Sequence, residues 1–256
     1  MITTLRQELY KLNHRRLPWL VLIIMAALMV MIGMGMGRSY SKLLVMTCYA
    51  SSMIIMLLLV IVGSTIFSME FQNGTIIPLI YRSGSRSAVF FAKFITLFLY
   101  NLFLHAVAIV ITVLLNIVPI INEPVSWMAI YQYHQPLIIN MLATSGVDLV
   151  TSTLIISFIC LTSALINSNT VVIAVNALII FMGSGLSSNL LSAHVGPSWL
   201  VRWNPFNMLN LTNQFYNYST YHLTTMLSNQ QLLWGTLAYT ILMLLVGYWA
   251  FQHKKI

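Results

Sequence analysis

The chain has 256 residues, of which 59% are hydrophobic and only 6% are Asp, Glu, Lys or Arg. Soluble domains carry roughly 25% charged residues, so this composition excludes an ordinary cytosolic globular protein. Twelve basic and four acidic side chains give a formal net charge of +8. The basic residues are distributed between apolar runs and form no stripe or patch, which argues against nucleic acid as a partner.

The N-terminal residues have the pattern of an amphipathic helix. Leu5, Leu9 and Leu12 recur at helical spacing, while charged residues including Glu8 occupy the other face. We predict an interfacial helix over residues 1–17. The pattern is equally typical of a topological anchor and of a segment with a mechanical role.

Six apolar segments are long enough to cross a membrane as helices, which requires about 20 mainly apolar residues each. The first is too long for the apolar core of a signal peptide and is followed by no cleavage site of small residues, so we interpret it as a retained span. The sequence therefore predicts an all-α integral membrane protein. Its transmembrane helices are expected at residues 18–36, 45–68, 92–118, 145–166, 170–191 and 232–251.

The distribution of Lys and Arg predicts the orientation of these spans, because short cytoplasmic loops are enriched in basic residues. With the N-terminus inside, three basic residues lie outside, namely Arg38, Lys42 and Arg202. The other nine lie inside: Arg6, Lys11, Arg15, Arg16, Arg82, Arg86, Lys93, Lys254 and Lys255. We therefore expect both termini in the cytoplasm, and membrane lipid headgroups suffice as the acidic partner of these residues.

Small residues mark the outer end of the first span. Gly33 and Gly37 have the GxxxG spacing that lets two helices approach closely. The same residues are also consistent with a loosened helix end before Arg38, so both interpretations stay open.

The main cytoplasmic connection runs from Glu70 to Lys93 and contains two turn signals, Asn73-Gly74 and Ser83-Gly84-Ser85. Between them we predict a short helical piece from Thr75 to about Arg82. Thr75 can cap its start, and Pro78 is tolerated there because it falls in the first turn. By itself the pattern fits either a loop that merely orients the chain or a docking element.

Two outer segments are rich in aromatic residues and proline. Residues 119–143 suggest a structured aromatic cap at the headgroup level. Residues 192–231 suggest an extracellular re-entrant or interfacial segment of short helices, and not another pair of spans. Belt aromatics and ligand contact are both possible roles.

The chain shows no pattern of a membrane-embedded enzyme. Glu8, Glu70 and Glu123 are expected far apart in the topology, so no two carboxylates are paired for acid–base chemistry. The histidines have no metal-ligand spacing, and Cys48 and Cys160 fit small core positions. No lysine follows a glycine as a P-loop requires, so any ATP hydrolysis must come from another polypeptide.

Two ionisable residues fall within or beside the spans. His105 lies deep in the third span, where we expect an imidazole that is hydrogen-bonded to a neighbouring helix, with a functional role as the alternative. Asp148 is expected near the outer start of the fourth span, as a helix cap or, alternatively, in a proton relay.

The order of these features resembles an ABC-2-type transporter permease with a type V exporter-like fold. A basic amphipathic start and six spans are joined by an E-x-x-x-G-T run after the second span, here Glu70, Gly74 and Thr75, followed by Arg86 and Lys93. The resemblance extends over the whole chain as one permease domain, residues 1–256. It implies a bacterial cell-membrane location.

The resemblance implies a transport subunit without catalytic site, metal or cofactor of its own. Two permeases, identical or sister chains, would work with two copies of a cytosolic ATPase that holds ATP and Mg²⁺. The cargo would be amphipathic or hydrophobic, such as an antimicrobial peptide, a lipid-like molecule or a drug. The alternative is a stand-alone immunity protein that binds a toxic peptide without an ATPase.

The resemblance also implies roles for particular residues. Residues 70–90 would form the coupling loop to the ATPase. Its contact residues would be Glu70, Gly74, Thr75, Arg82 and Arg86. Close packing at the dimer interface or along the pathway would use Gly33, Gly37, Gly183 and Gly185.

Overall fold

The computed structural model describes residues 2–36, 38–118, 124–193 and 198–254, and no strand occurs within these ranges. Six helical stretches there are long and apolar enough to cross a membrane, which confirms the prediction of an all-α chain with six spans. They are Arg16–Met36, Ser41–Gln72, Arg86–Ile117, Leu137–Leu165, Asn169–Ser192 and Asn229–His253. The chain is therefore a multi-pass membrane protein.

Twelve α-helices occur in the described part of the chain, and short 3₁₀ turns occur at Arg38–Tyr40, Gln132–His134 and Asn207–Asn210. The α-helices are α1 (Ile2–His14), α2 (Arg16–Met36), α3 (Ser41–Met46), α4 (Ser51–Gln72), α5 (Ile76–Ser83), α6 (Arg86–Ile117), α7 (Leu137–Leu165), α8 (Asn169–Ser192), α9 (Ser198–Arg202), α10 (Leu211–Tyr216), α11 (Tyr218–Thr225) and α12 (Asn229–His253).

Several spans begin before the apolar run that predicts them, because polar residues cap the helices. The Ser85 hydroxyl accepts a hydrogen bond from the Ala88 amide at 3.1 Å, so α6 starts six residues before the predicted position 92. Ser228 and Gln231 form a reciprocal capping box that starts α12. Hydropathy marks the apolar part of a helix, whereas these caps fix its end.

The second span is interrupted, which the sequence does not predict. A turn at residues 47–50 separates α3 from α4, and Cys48, Tyr49 and Ala50 have left-handed φ values of 47°, 53° and 56°. The local chain satisfies the turn's polar groups: the Tyr49 amide donates to the Leu44 carbonyl at 2.7 Å. The prediction of a continuous helix over residues 45–68 is therefore wrong at its start. The sequence does not reveal the break because most residues of this turn are apolar or small.

Helices α4 and α7 lie at the centre of the bundle. In the most apolar stretch of each of these two spans, 67% of the residues are buried by protein. The corresponding share is 28% for α2 and 22% for α8 and for α12. Helix α12 packs closely along α7: a Cβ placed on Gly247 would lie 3.1 Å from the Cα of Leu161. Close packing by small residues is the usual means of helix association in membranes.

The segment before the last span folds into short helices packed against α7, α8 and α12. Buried amides hold it together: the Asn207 side chain donates to the carbonyls of Arg202 and Thr225 at 2.8 and 2.9 Å, and Gln214 donates to the Leu227 carbonyl at 2.8 Å. Helices α9, α10 and α11 are each far too short to span a membrane.

Candidate functional site

Helix α5 is held between two glycine turns at one end of the bundle. Gly74 and Gly84 have φ values of +66° and +73°, where residues with a side chain are disfavoured. No atom lies within 4 Å of a Cβ built on either glycine. Backbone conformation, and not space, is therefore the reason for glycine at both ends of α5.

Helix α5 presents a mixed apolar and basic surface. Ile76 is buried, whereas Ile77 is 42% and Tyr81 83% exposed, and Arg82 is exposed beside them. Exposed aromatic and apolar side chains on a short helix are typical of a contact surface. The face formed by Ile77, Tyr81 and Arg82 is called the α5 face below.

Thr75 and Pro78 lie where the sequence predicts them. Thr75 is the residue that precedes α5, and Pro78 is in its first turn. The Thr75 hydroxyl does not cap α5, however. It donates instead to the Glu70 carbonyl at 3.5 Å, so it links the turn back to α4.

Four charged residues from three helices meet beside α5, and we call them the inner charge cluster: Glu8, Lys11, Glu70 and Lys93. The Lys93 Nζ lies 2.7 Å from a Glu70 Oε and 3.3 Å from a Glu8 Oε. The Lys11 Nζ lies 2.6 Å from the other Glu70 Oε and also pairs with Glu8. Two acids and two bases make the cluster formally neutral, which is how buried charges are tolerated.

The cluster corrects two expectations from the sequence: that Glu8 and Glu70 lie far apart, and that Glu8 lies on the polar face of an interfacial helix. Glu8 and Glu70 are not far apart, because α1 packs on α6 and brings Glu8 to α4. Thr4 and Glu8 are the buried residues of α1, so the face that contains Glu8 points into the protein. The only sequence signal for this was Glu8 and Lys11 at i,i+3 spacing, which is common on solvated helices.

Lys93 is the deepest member of the cluster. Its side chain has no exposed surface, its Nζ also donates to the Ile66 carbonyl at 2.9 Å, and it lies 5.6 Å from the Phe67 ring centroid. Burial lowers the Lys11 pKa, but the Glu70 and Glu8 carboxylates outweigh this effect and raise the pKa above its usual value. Glu70 pairs with Lys11 and Lys93, so it lies inside the cluster and ties α4 to α1 and α6.

Arg86 has a structural partner that the sequence analysis missed. Its Nη1 donates to the carbonyls of Gln252 and Lys254 at 2.7 and 2.9 Å, at the C-terminus of α12. A cation at this end of a helix satisfies carbonyls that have no partner within the helix. Arg86 therefore fastens the start of α6 to α12, whereas Arg82 is exposed on the α5 face.

The glycines expected to support packing between subunits occupy different settings. Gly33 is buried within the chain, and Gly37 lies outside the described residues. A Cβ on Gly183 would lie 2.8 Å from Leu209, so this glycine accommodates the chain's own segment before the last span. Gly185 faces open space on α8.

His105 and Asp148 form a buried pair between α6 and α7. The His105 Nε2 lies 3.0 Å from the Asp148 Oδ2, which confirms the expected hydrogen bond to a neighbouring helix. The His105 Nδ1 lies 2.9 Å from the Asn101 carbonyl, so both ring nitrogens face acceptors, an arrangement that an imidazolium satisfies. Asp148 is the twelfth residue of α7, so the expectation of a helix cap is wrong.

The fold and these sites can be set beside known proteins. A family model described as "ABC-2 family transporter protein" matches residues 4–184, which is more than half of the chain, so the chain belongs to the ABC-2 transporter family. The match runs from α1 into α8 and includes the inner charge cluster and the α5 face. No curated protein matches the chain. Within the described ranges, no group of three His, Cys, Asp or Glu could hold a metal ion.

Proposed function

We propose that the chain is the membrane subunit of an ATP-driven ABC exporter. Two such subunits, identical or sister chains, form the pathway in a bacterial cell membrane with their termini in the cytoplasm. Two copies of a separate ATPase bind ATP and Mg²⁺ and carry out the hydrolysis, while this chain has no catalytic site. Membership of the ABC-2 transporter family supports the permease role.

The α5 face is the observation that carries the proposed coupling. A transmitting element must expose a surface to its partner and be firmly joined to the spans. Tyr81 and Arg82 supply the exposed surface, and the two glycine turns join α5 directly to α4 and α6. The inner charge cluster and the Arg86 contact with α12 fix the ends of those spans.

The mechanism we infer is a shift between conformational populations. Nucleotide binding closes the ATPase subunits and moves α5 as a short rigid body. Because the charge cluster links α1, α4 and α6, this motion is passed to three helices together. The spans then change from a form that accepts cargo to one that releases it outside. We propose an amphipathic or hydrophobic cargo such as an antimicrobial peptide, a lipid-like molecule or a drug.

The test is purification of the tagged permease from its native membrane, followed by assay of the ATPase that accompanies it. We expect Tyr81→Ala with Arg82→Glu to abolish this association and the associated ATPase activity. The matched control is Tyr40→Ala with Lys42→Glu, which changes an exposed tyrosine and an exposed lysine in another segment. That control should retain both.

Two outcomes would contradict the proposal. Equal ATPase association in the α5 variant and the control would show that the α5 face is not the docking surface. Protection of cells against a toxic peptide by the permease alone, with no ATPase present, would favour the stand-alone immunity protein. Membership of a transporter family does not favour that alternative.

A further inference from the structure

A cavity of about 400 Å³ lies away from the inner charge cluster, between the start of α4, α7, α8 and the segment around α10. Its volume is within the range of pockets for small molecules, roughly 300–1,000 Å³. Met53, Met56, Phe181 and Leu209 supply apolar wall, and hydroxyl groups supply much of the rest. The lining therefore suits a molecule with both an apolar body and a polar group.

The interrupted second span opens onto this cavity. Ala50, the last residue of the left-handed turn, and Ser52, in the first turn of α4, both line it. Non-helical backbone at membrane depth occurs where it is buried in protein or lines a cavity. Broken helices form the substrate sites of many transporters for the same reason. The left-handed turn therefore lies in the wall of the cavity, where its residues can contact a bound molecule.

Asp148 supplies the charge. The residue is 3% exposed, and it is the one Asp, Glu, Lys or Arg among the described residues that line the cavity. Ser52 and Thr212, which also line the cavity, donate to its Oδ1 at 2.5 and 3.2 Å. His105, which is not part of the lining, lies at the Oδ2. The Oδ1 is therefore the oxygen held by the cavity-lining hydroxyls.

We propose that this cavity binds the ammonium group of an amphipathic cargo, with Asp148 as its counter-ion. An ammonium has three donors and no acceptor, so it needs a cluster of acceptors. The Asp148 carboxylate provides one, and the hydroxyls of Ser52 and Thr212 can rotate from donating to accepting. Calling the ligand a cargo depends on the proposed transport function, whereas the binding itself does not.

The experiment uses the full chain in nanodiscs of zwitterionic phosphatidylcholine, without any ATPase. Calorimetric titration with octylamine, against octanol as the uncharged comparison and empty nanodiscs as the blank, measures binding. We expect octylamine to bind the unmodified chain and to bind Asp148→Asn at least about 10-fold more weakly, with octanol unchanged. Ser152→Ala is the matched control: it lies one turn along α7, does not line the cavity and should bind octylamine normally.

A second variant separates lost binding from lost folding. His105→Gln keeps a donor for the Asp148 Oδ2 but removes a ring whose protonated form competes with the ammonium for the same carboxylate. We expect this variant to bind octylamine more tightly than the unmodified chain, a gain that misfolding cannot produce. The proposal is overturned if octylamine fails to bind the unmodified chain, if it binds Asp148→Asn equally well, or if His105→Gln gains nothing. Because no ATPase is present, none of these failures bears on the coupling through α5.

Discussion

Lys93 shows how single residues hold together the end of the bundle that carries α5. A lysine with no exposed surface is tolerated because Glu70, Glu8 and the Ile66 carbonyl surround its Nζ. Since the pKa of Lys11 is raised, its stabilising contribution is complete at any pH below the usual lysine value and is lost only as the pH rises through the raised pKa. Lys11 is thus fully charged under physiological conditions.

Removing one member should leave a buried charge without compensation. We expect Lys93→Met to lower the free energy of unfolding by about 3–5 kcal/mol, because two carboxylates then share one cation. Lys42→Met, at an exposed lysine, should change it by less than about 0.5 kcal/mol. Adding Glu70→Gln to Lys93→Met should restore part of the loss, and a double-mutant cycle measured by thermal unfolding in detergent checks the coupling. A purely additive cycle would contradict an interaction between the two residues.

At the scale of elements, the packing of α12 on α7 depends on a glycine that the sequence analysis did not single out. The hypothetical Cβ of Gly247 meets the backbone of Leu161, which cannot rotate away as a side chain can. By contrast, Gly183 meets the flexible end of Leu209, and Gly146 has no neighbour within 4 Å. The three glycines therefore differ in what a side chain would encounter.

A larger residue at Gly247 should separate α12 from α7. We expect Gly247→Leu to lower the free energy of unfolding by about 1–3 kcal/mol through overpacking, visible as a reduced thermal midpoint in detergent. Gly146→Leu is the control on an open surface of α7 and should behave like the unmodified chain. An unchanged midpoint for Gly247→Leu would show that the two helices are less closely packed than in this structure.

At the scale of the whole molecule, the least buried helices indicate where other molecules contact the bundle. Helix α2 exposes Ile23 and Met31 at 70% and 66%, and α8 exposes Leu178 and Phe181 at 56% and 55%. In a membrane such faces contact lipid, and in the proposed dimer they contact the second permease. Gly185 lies on α8 with open space around it, so the expected packing between subunits can be tested there without disturbing the chain itself.

If α8 forms the interface of the proposed dimer, a side chain at Gly185 should prevent close approach. We expect Gly185→Leu to reduce the dimer fraction measured by cross-linking in membranes, while leaving the thermal midpoint of the chain unchanged. Gly146→Leu again serves as the control and should dimerise normally. A normal dimer fraction in Gly185→Leu would exclude this part of α8 from the interface.

The sequence by itself determined the six spans, the family and the two glycine turns around α5. These features depend on runs of apolar residues or on local motifs, which are legible along the chain. The tertiary structure alone decided that Glu8 and Glu70 meet, that Arg86 caps α12 and that the second span breaks before α4. Two of the ion pairs, Lys11–Glu70 and Lys93–Glu8, join residues 59 and 85 positions apart, separations that no local pattern encodes. The break consists mostly of apolar or small residues whose left-handed backbone is held by packing and local hydrogen bonds, so hydropathy cannot reveal it.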